Sequence, residues 1–150
     1  MNTIASKLET IIDGFLPRLY ALPDTEFIFK SSPLKWSKKE VIGHLIDSAQ
    51  ANIRRFVIAQ YEENPLVTYD QDKWVVINDY QHQPLEHVIQ LWYLLNQQMV
   101  NILKNTSTEM AQHTCKSEAI HTIEWLASDY IKHLVHHLHQ VLNLEPVVYP

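Results

Sequence analysis

The chain has 150 residues, among them 9 histidines, 2 glycines and 1 cysteine, a length that suits one domain. Gly14 and Gly43 stand far apart, so no glycine-rich loop can set backbone N–H groups against a phosphate; Cys115 alone excludes both a disulfide framework and an intrachain cysteine zinc site. The formal charge is −5, from 17 acidic and 12 basic residues, and no basic cluster of the kind that gives nucleic-acid affinity is present.

Hydrophobic residues make up 46% of the chain and include four tryptophans, enough for a core that needs no metal to fold. The first fifteen residues are interrupted by Lys7, Glu9 and Asp13, unlike a secretory leader. No apolar run approaches the ~18 residues of a membrane span. These features predict a cytoplasmic protein without nucleic-acid or membrane partners, whose metal chemistry, if any, rests on imidazole and carboxylate.

Helical periodicity dominates. A first helix over 2–20 is predicted from Ile4, Leu8, Ile11, Ile12, Phe15 and Leu19, with Pro17 placed to kink or end it. After a proline-broken connector, Trp36-Ser37-Lys38-Lys39-Glu40-Val41 reads as a capping box between Ser37 and Glu40, with Trp36 and Val41 as its apolar staple. A second helix is expected from Lys38 to about Glu62. The polar segment from Glu63 to Gln83 reads as a loop that is not helical throughout. Pro84 opens a third helix, whose inner side carries Leu85, Val88, Ile89, Trp92, Leu95, Met99 and Ile102 and which ends near Lys104. Residues 105–121 look irregular. Thr122 is the expected N-cap of a fourth helix, closed by Glu145-Pro146. The fold class is all-α, a four-helix bundle.

The fourth helix carries Asp129, His133, His136, His137, His139 and Gln140. At ~100° and ~1.5 Å per residue, His133 and His137 are about 40° and about 6 Å apart, so two imidazoles can converge on one ion. The spacing alone equally fits a titratable polar face. Two features favour a ligand pair. The stripe borders the apolar sector of Leu134, Leu138 and Val141, and a third histidine, His44, lies near the inward face of the second helix. Asp47, three residues beyond His44, can orient its ring or act as a further ligand, and Asp129 stands in the same relation to His133. Arg54 and Arg55 could receive a substrate carboxylate, but they lie about 15 Å along the helix from His44 and are read as surface or interhelical ion-pair partners. Tyr69, Asp70 and Trp74 are candidates for the mouth of a site or for a packing lid. His82, His87, His113, His121 and His139 are taken as surface or loop residues.

Three segments, KWSKKEVIGHLIDSAQANIRRF, YDQDKW and DYIKHLVHHLHQVL, together resemble the DinB-like superfamily of metal-dependent four-helix bundles, which includes thiol transferases related to bacillithiol transferase and the mycothiol-dependent maleylpyruvate isomerases. The resemblance spans nearly the whole chain and implies a single domain over 1–150 of up-down-down-up topology, often dimeric. It further implies that His44, His133 and His137 hold one divalent ion, zinc or nickel, with His136 beside the ligands. Asp47, His136 and Gln140 are then the candidates for orienting ligands or substrate.

Three neutral imidazoles leave a coordination position open, the mark of a catalytic metal. The expected activity is thiol-dependent transfer to a small electrophile, with a low-molecular-weight thiol as partner and a homodimer as the assembly. The alternatives are metal-assisted hydrolysis and a non-catalytic metal-binding or dimerising bundle.

Overall fold

The apolar positions spaced three and four apart at the start of the chain, Ala5, Leu8, Ile12 and Leu19, form the buried face of α1 (Asn2–Tyr20) in the computed structural model, which describes residues 1–149. Pro17 neither ends nor breaks α1. It lies in the last turn, where a single missing N–H donor is tolerated. A five-residue helix, α2 (Asp24–Ile28), follows in the connector and buries Phe27.

The capping box forms as expected at the start of α3 (Lys38–Ile58). Ser37 Oγ accepts from the Glu40 N–H at 3.2 Å, and the Glu40 carboxylate accepts from the Ser37 N–H at 2.7 Å. The helix stops four residues short of Glu62. Asn64 takes a left-handed conformation (φ 45°) and Pro65 follows it, a pair that cannot continue a helix. α3 also departs from simple amphipathicity, for every residue from Lys39 to Ala49 is buried. α4 (Gln71–Asn78), capped by Asp70, and a 3₁₀ turn at Tyr80–His82 pack over α3. Gly43 permits this cover, since a Cβ there would lie 2.1 Å from Tyr80 Cδ2.

Pro84 caps α5 (Leu85–Asn105), which buries Val88, Ile89, Trp92, Met99, Val100 and Leu103. The segment expected to be irregular contains a 3₁₀ turn, Met110–Gln112, and an antiparallel hairpin of β1 (Thr114–Lys116) and β2 (Ile120–Thr122). The chain near Pro65–Val67 adds two hydrogen bonds to Lys116, tying the crossing loop to the hairpin. Thr122 Oγ1 accepts from the Trp125 N–H and caps α6 (Ile123–Val141). α6 ends before Glu145-Pro146, where Asn143 turns the backbone left-handed at φ 51°.

Side-chain pairs between the long helices fix their directions. Asp13 meets Tyr93 and Glu9 meets Lys104, so α1 and α5 run antiparallel. Lys39 reaches the Gln83 carbonyl at the start of α5 and Gln60 meets Thr106 at its end, so α3 and α5 run parallel. His44 meets His133, while the far end of α3 lies opposite the start of α6, so these two are antiparallel. The result is the up-down-down-up order. The core runs along the bundle axis around Trp92, Leu8, Ile12, Leu45, Ile46 and Leu134. Among the described residues no helix is long and apolar enough to cross a membrane.

Candidate metal centre

His44 is on the enclosed part of α3, buried among Trp36, His133 and His137. His133 and His137 project from adjacent turns of α6, as their four-residue separation requires. Side-chain nitrogen atoms of the three all lie within 4.8 Å of one another, and Nε2 of His44 is 3.1 Å from Nε2 of His133. The rings meet edge to face, with centroids 4.6 to 5.0 Å apart.

Burial lowers the pKa of all three. His44 falls to about 4, chiefly by loss of hydration and then by the nearby His137. His133 falls to about 3 from loss of hydration and then from His137, His44 and His136. His137 is lowered by burial, partly offset by its hydrogen bond to Gln140. All three are therefore neutral near pH 7, the state that donates a lone pair to a metal. His137 Nδ1–H donates to Gln140 Oε1 at 3.0 Å, which leaves Nε2 as the lone-pair nitrogen. Trp36, expected as a helix staple, also covers the His44 ring at 5.1 Å. Holding a buried and two half-buried neutral imidazoles with their nitrogens converging, and with His44 Nδ1 lacking a hydrogen-bond partner among the described residues, is costly for a core without a ligand. The donor set fits a divalent ion held by imidazole.

The other candidates are disposed differently. Asp47 does not bond the His44 ring. Its Oδ1 accepts from the Tyr80 hydroxyl at 2.6 Å and from Asn78 Nδ2 at 3.0 Å, and its Oδ2 is buried without a partner. Burial pushes the Asp47 carboxyl up to about 6, against the opposing effect of those two bonds. Asp129 likewise turns from His133 and accepts the Tyr149 hydroxyl at 2.8 Å. His136 touches the His137 ring edge and donates Nδ1–H to the Val147 carbonyl at 2.6 Å, fastening the tail beside the site. His139 is not fully exposed. It packs on Phe15 and donates to the Glu145 carbonyl.

A cavity of about 770 Å³ opens beside His133, between α3, α6, the hairpin and the crossing loop. Tyr69 and Asp70 line it, as expected of a mouth, whereas Trp74 packs against Tyr69 from outside. Arg55 is no ion-pair partner; it lines the cavity, donating to the Val67 carbonyl and to Asn52 Oδ1. His121 is not a mere loop residue either, for it lines the same cavity, stacked at 3.6 Å on Trp125. For Arg55 a signal was present in the spacing. His44, Ser48, Asn52 and Arg55 follow one stripe of α3, the last only about 20° from the first. Tyr149 carried no signal, because its place depends on how the tail folds back.

A family model described as the DinB superfamily matches residues 7–141. The chain belongs to the DinB superfamily. Among its relatives is a protein of Halalkalibacterium halodurans, 31% identical over 106 residues, that is 69% of this chain and 61% of that protein. A second, from Oceanobacillus iheyensis, is 30% identical over 112 residues, 73% of this chain and 64% of that one. Both are provisionally named metal-dependent hydrolases. The match thus spans less than two thirds of the length of either relative. Among solved structures, YfiT from Bacillus subtilis, described as a probable metal-dependent hydrolase with an unusual four-helix bundle topology, superposes with a TM-score of 0.80 at 19% identity, covering 93% of this chain and 84% of YfiT. The mycothiol-dependent maleylpyruvate isomerase superposes with a TM-score of 0.69 at 16% identity, covering 99% of this chain and 62% of the isomerase. At these identities the structural likeness establishes the family fold.

Proposed function

We propose that this protein is a metal-dependent enzyme in which His44, His133 and His137 hold zinc or nickel and a small-molecule substrate enters the cavity beside His133. The observation that carries the proposal is the convergence of three neutral imidazoles drawn from two antiparallel helices, one of which, His133, lines an open cavity. When bound, the ion supplies Lewis acidity, which stabilises a thiolate or lowers the pKa of water.

The chain's own residues do the rest. Gln140 holds His137 in one tautomer, and Trp36 screens the His44 ring. Among the described residues no carboxylate bonds the three histidines as a general base would: Asp47 is held beneath α4, and Asp129, which lines the cavity, accepts the Tyr149 hydroxyl. Transfer of a low-molecular-weight thiol to a small electrophile needs no such base once the thiol is ionised, and this is the reaction we assign. The mycothiol dependence of the isomerase neighbour supports it. Hydrolysis is the second reading, favoured by the names of the two curated relatives.

Turnover of a panel of activated electrophiles by metal-loaded protein separates them. Consumption that requires added thiol and forms a thioether supports transfer. Equal consumption without thiol supports hydrolysis and overturns transfer. A homodimer accompanies this reading, and sedimentation at the monomer mass would contradict it.

A further inference from the structure

Arg55 is a cation without an anion. Its Nε donates to the Val67 carbonyl at 3.1 Å and its Nη1 to Asn52 Oδ1 at 3.2 Å, while Nη2 has no partner among the described residues. Asn52 is itself buried and held through Nδ2 by the Ser48 carbonyl, so the guanidinium is fixed from both sides. No carboxylate forms a salt bridge with it among the described residues. Three acids line the same cavity, but none is within ion-pair distance of Arg55. Asp70 pairs with Lys73, Asp129 accepts the Tyr149 hydroxyl, and Glu118 is exposed at the turn of the hairpin. A half-buried, doubly anchored guanidinium that offers its remaining N–H groups to a cavity is arranged to take a bidentate oxyanion.

Its position sets the shape of the ligand. Arg55 lies eleven residues along α3 from His44, a rise of about 16 Å, on nearly the same face. The cavity follows this stripe of α3 through Ser48, Asn52 and Arg55, and His133 lines it from α6.

We propose that Arg55 anchors the substrate, and that the substrate is an extended small molecule with a carboxylate at the end remote from the group directed at the histidines. The separation between the two groups is of the order of 10 Å once both side chains reach inward. This deepens the assignment of a metal-dependent enzyme and rests on it for what happens at the histidine end; the anion site itself belongs to Arg55.

The test is calorimetric titration of the full chain, zinc-loaded and metal-free, with 8-mercaptooctanoate and with its neutral carboxamide. The expected result is a preference for the acid of about tenfold in both forms, erased in Arg55→Gln and retained in part in Arg55→Lys. Arg55→Lys keeps the charge beside Asn52, and matched melting temperatures for the two variants exclude a loosened α3 as the cause. Equal affinity of acid and amide for the metal-free native chain, or an undiminished preference in Arg55→Gln, overturns the proposal. Failure to take up zinc would count against the metal-dependent assignment alone, because the preference in the metal-free chain is measured separately.

Discussion

At the scale of single residues, the lowered histidine pKa values give two pH predictions of definite sign. Protons compete with a metal for an ordinary histidine site below about pH 6.5. Here His44 and His133 titrate near 4 and 3. Bound zinc is therefore retained on dialysis at pH 5.5, and loss of the ion on lowering the pH from 7 to 5.5 would show the site to be more hydrated than the structure has it. The metal-free protein has a different dependence. Its unfolded state takes up protons on these histidines below pH 6.5 while the native state does not, so stability falls as pH drops from about 6.5 toward 4. Asp47 acts in the opposite sense between about 4 and 6, because its carboxyl holds its proton in the native state at a pH where the unfolded chain has lost it. Three histidines outweigh one aspartate. Urea unfolding of metal-free protein at pH 7 and pH 5 should show the native chain less stable at pH 5, with the slope reduced or reversed in a His44→Gln, His133→Gln variant.

At the scale of elements, the two glycines separate a packing role from a propensity effect. Gly43→Ala drives a methyl group into the Tyr80 ring, which packs over α3 and donates to Asp47, and should cost about 2 to 3 kcal/mol. Gly14→Ala meets nothing within 4 Å on an exposed turn of α1 and should stabilise by up to about 1 kcal/mol through helix propensity. Denaturation curves that moved together in the two variants would contradict the account of Gly43. This contrast also marks how far the sequence was legible. Caps and periodicity identified α1, α3, α5 and α6 because they are local: Ser37 with Glu40, Pro84, Thr122, and apolar residues three and four apart. The unbroken burial of Lys39–Ala49 was not legible, since the cover comes from α4 and Tyr80, in a later segment with no apolar period. His44, His133 and His137 were within reach because helix geometry fixes their directions, with the resemblance supplying the pairing between helices. The place of Arg55 on a cavity was not legible, because that cavity is closed by α6, which packs against α3 only in the folded chain. Tyr149, Val147 and the hairpin reach the site through tertiary folding alone.

At the scale of the whole molecule, His44 on α3 and His133 and His137 on α6 make the site a cross-link between two antiparallel helices of the bundle. An ion bound there stabilises the native state alone and raises the melting temperature by mass action, and removal with a chelator lowers it. The hydrophobic core does not depend on it, so the metal-free chain stays helical, and a far-ultraviolet spectrum of unfolded protein after chelation would contradict that division. The most direct test of the central claim is elemental analysis of the purified protein beside His44→Ala, His133→Ala and His137→Ala, each checked for helical content. The account predicts close to one equivalent of zinc or nickel per native chain and a folded but metal-depleted protein in each variant. A native chain without a divalent ion, or variants that retain it undiminished, would contradict it.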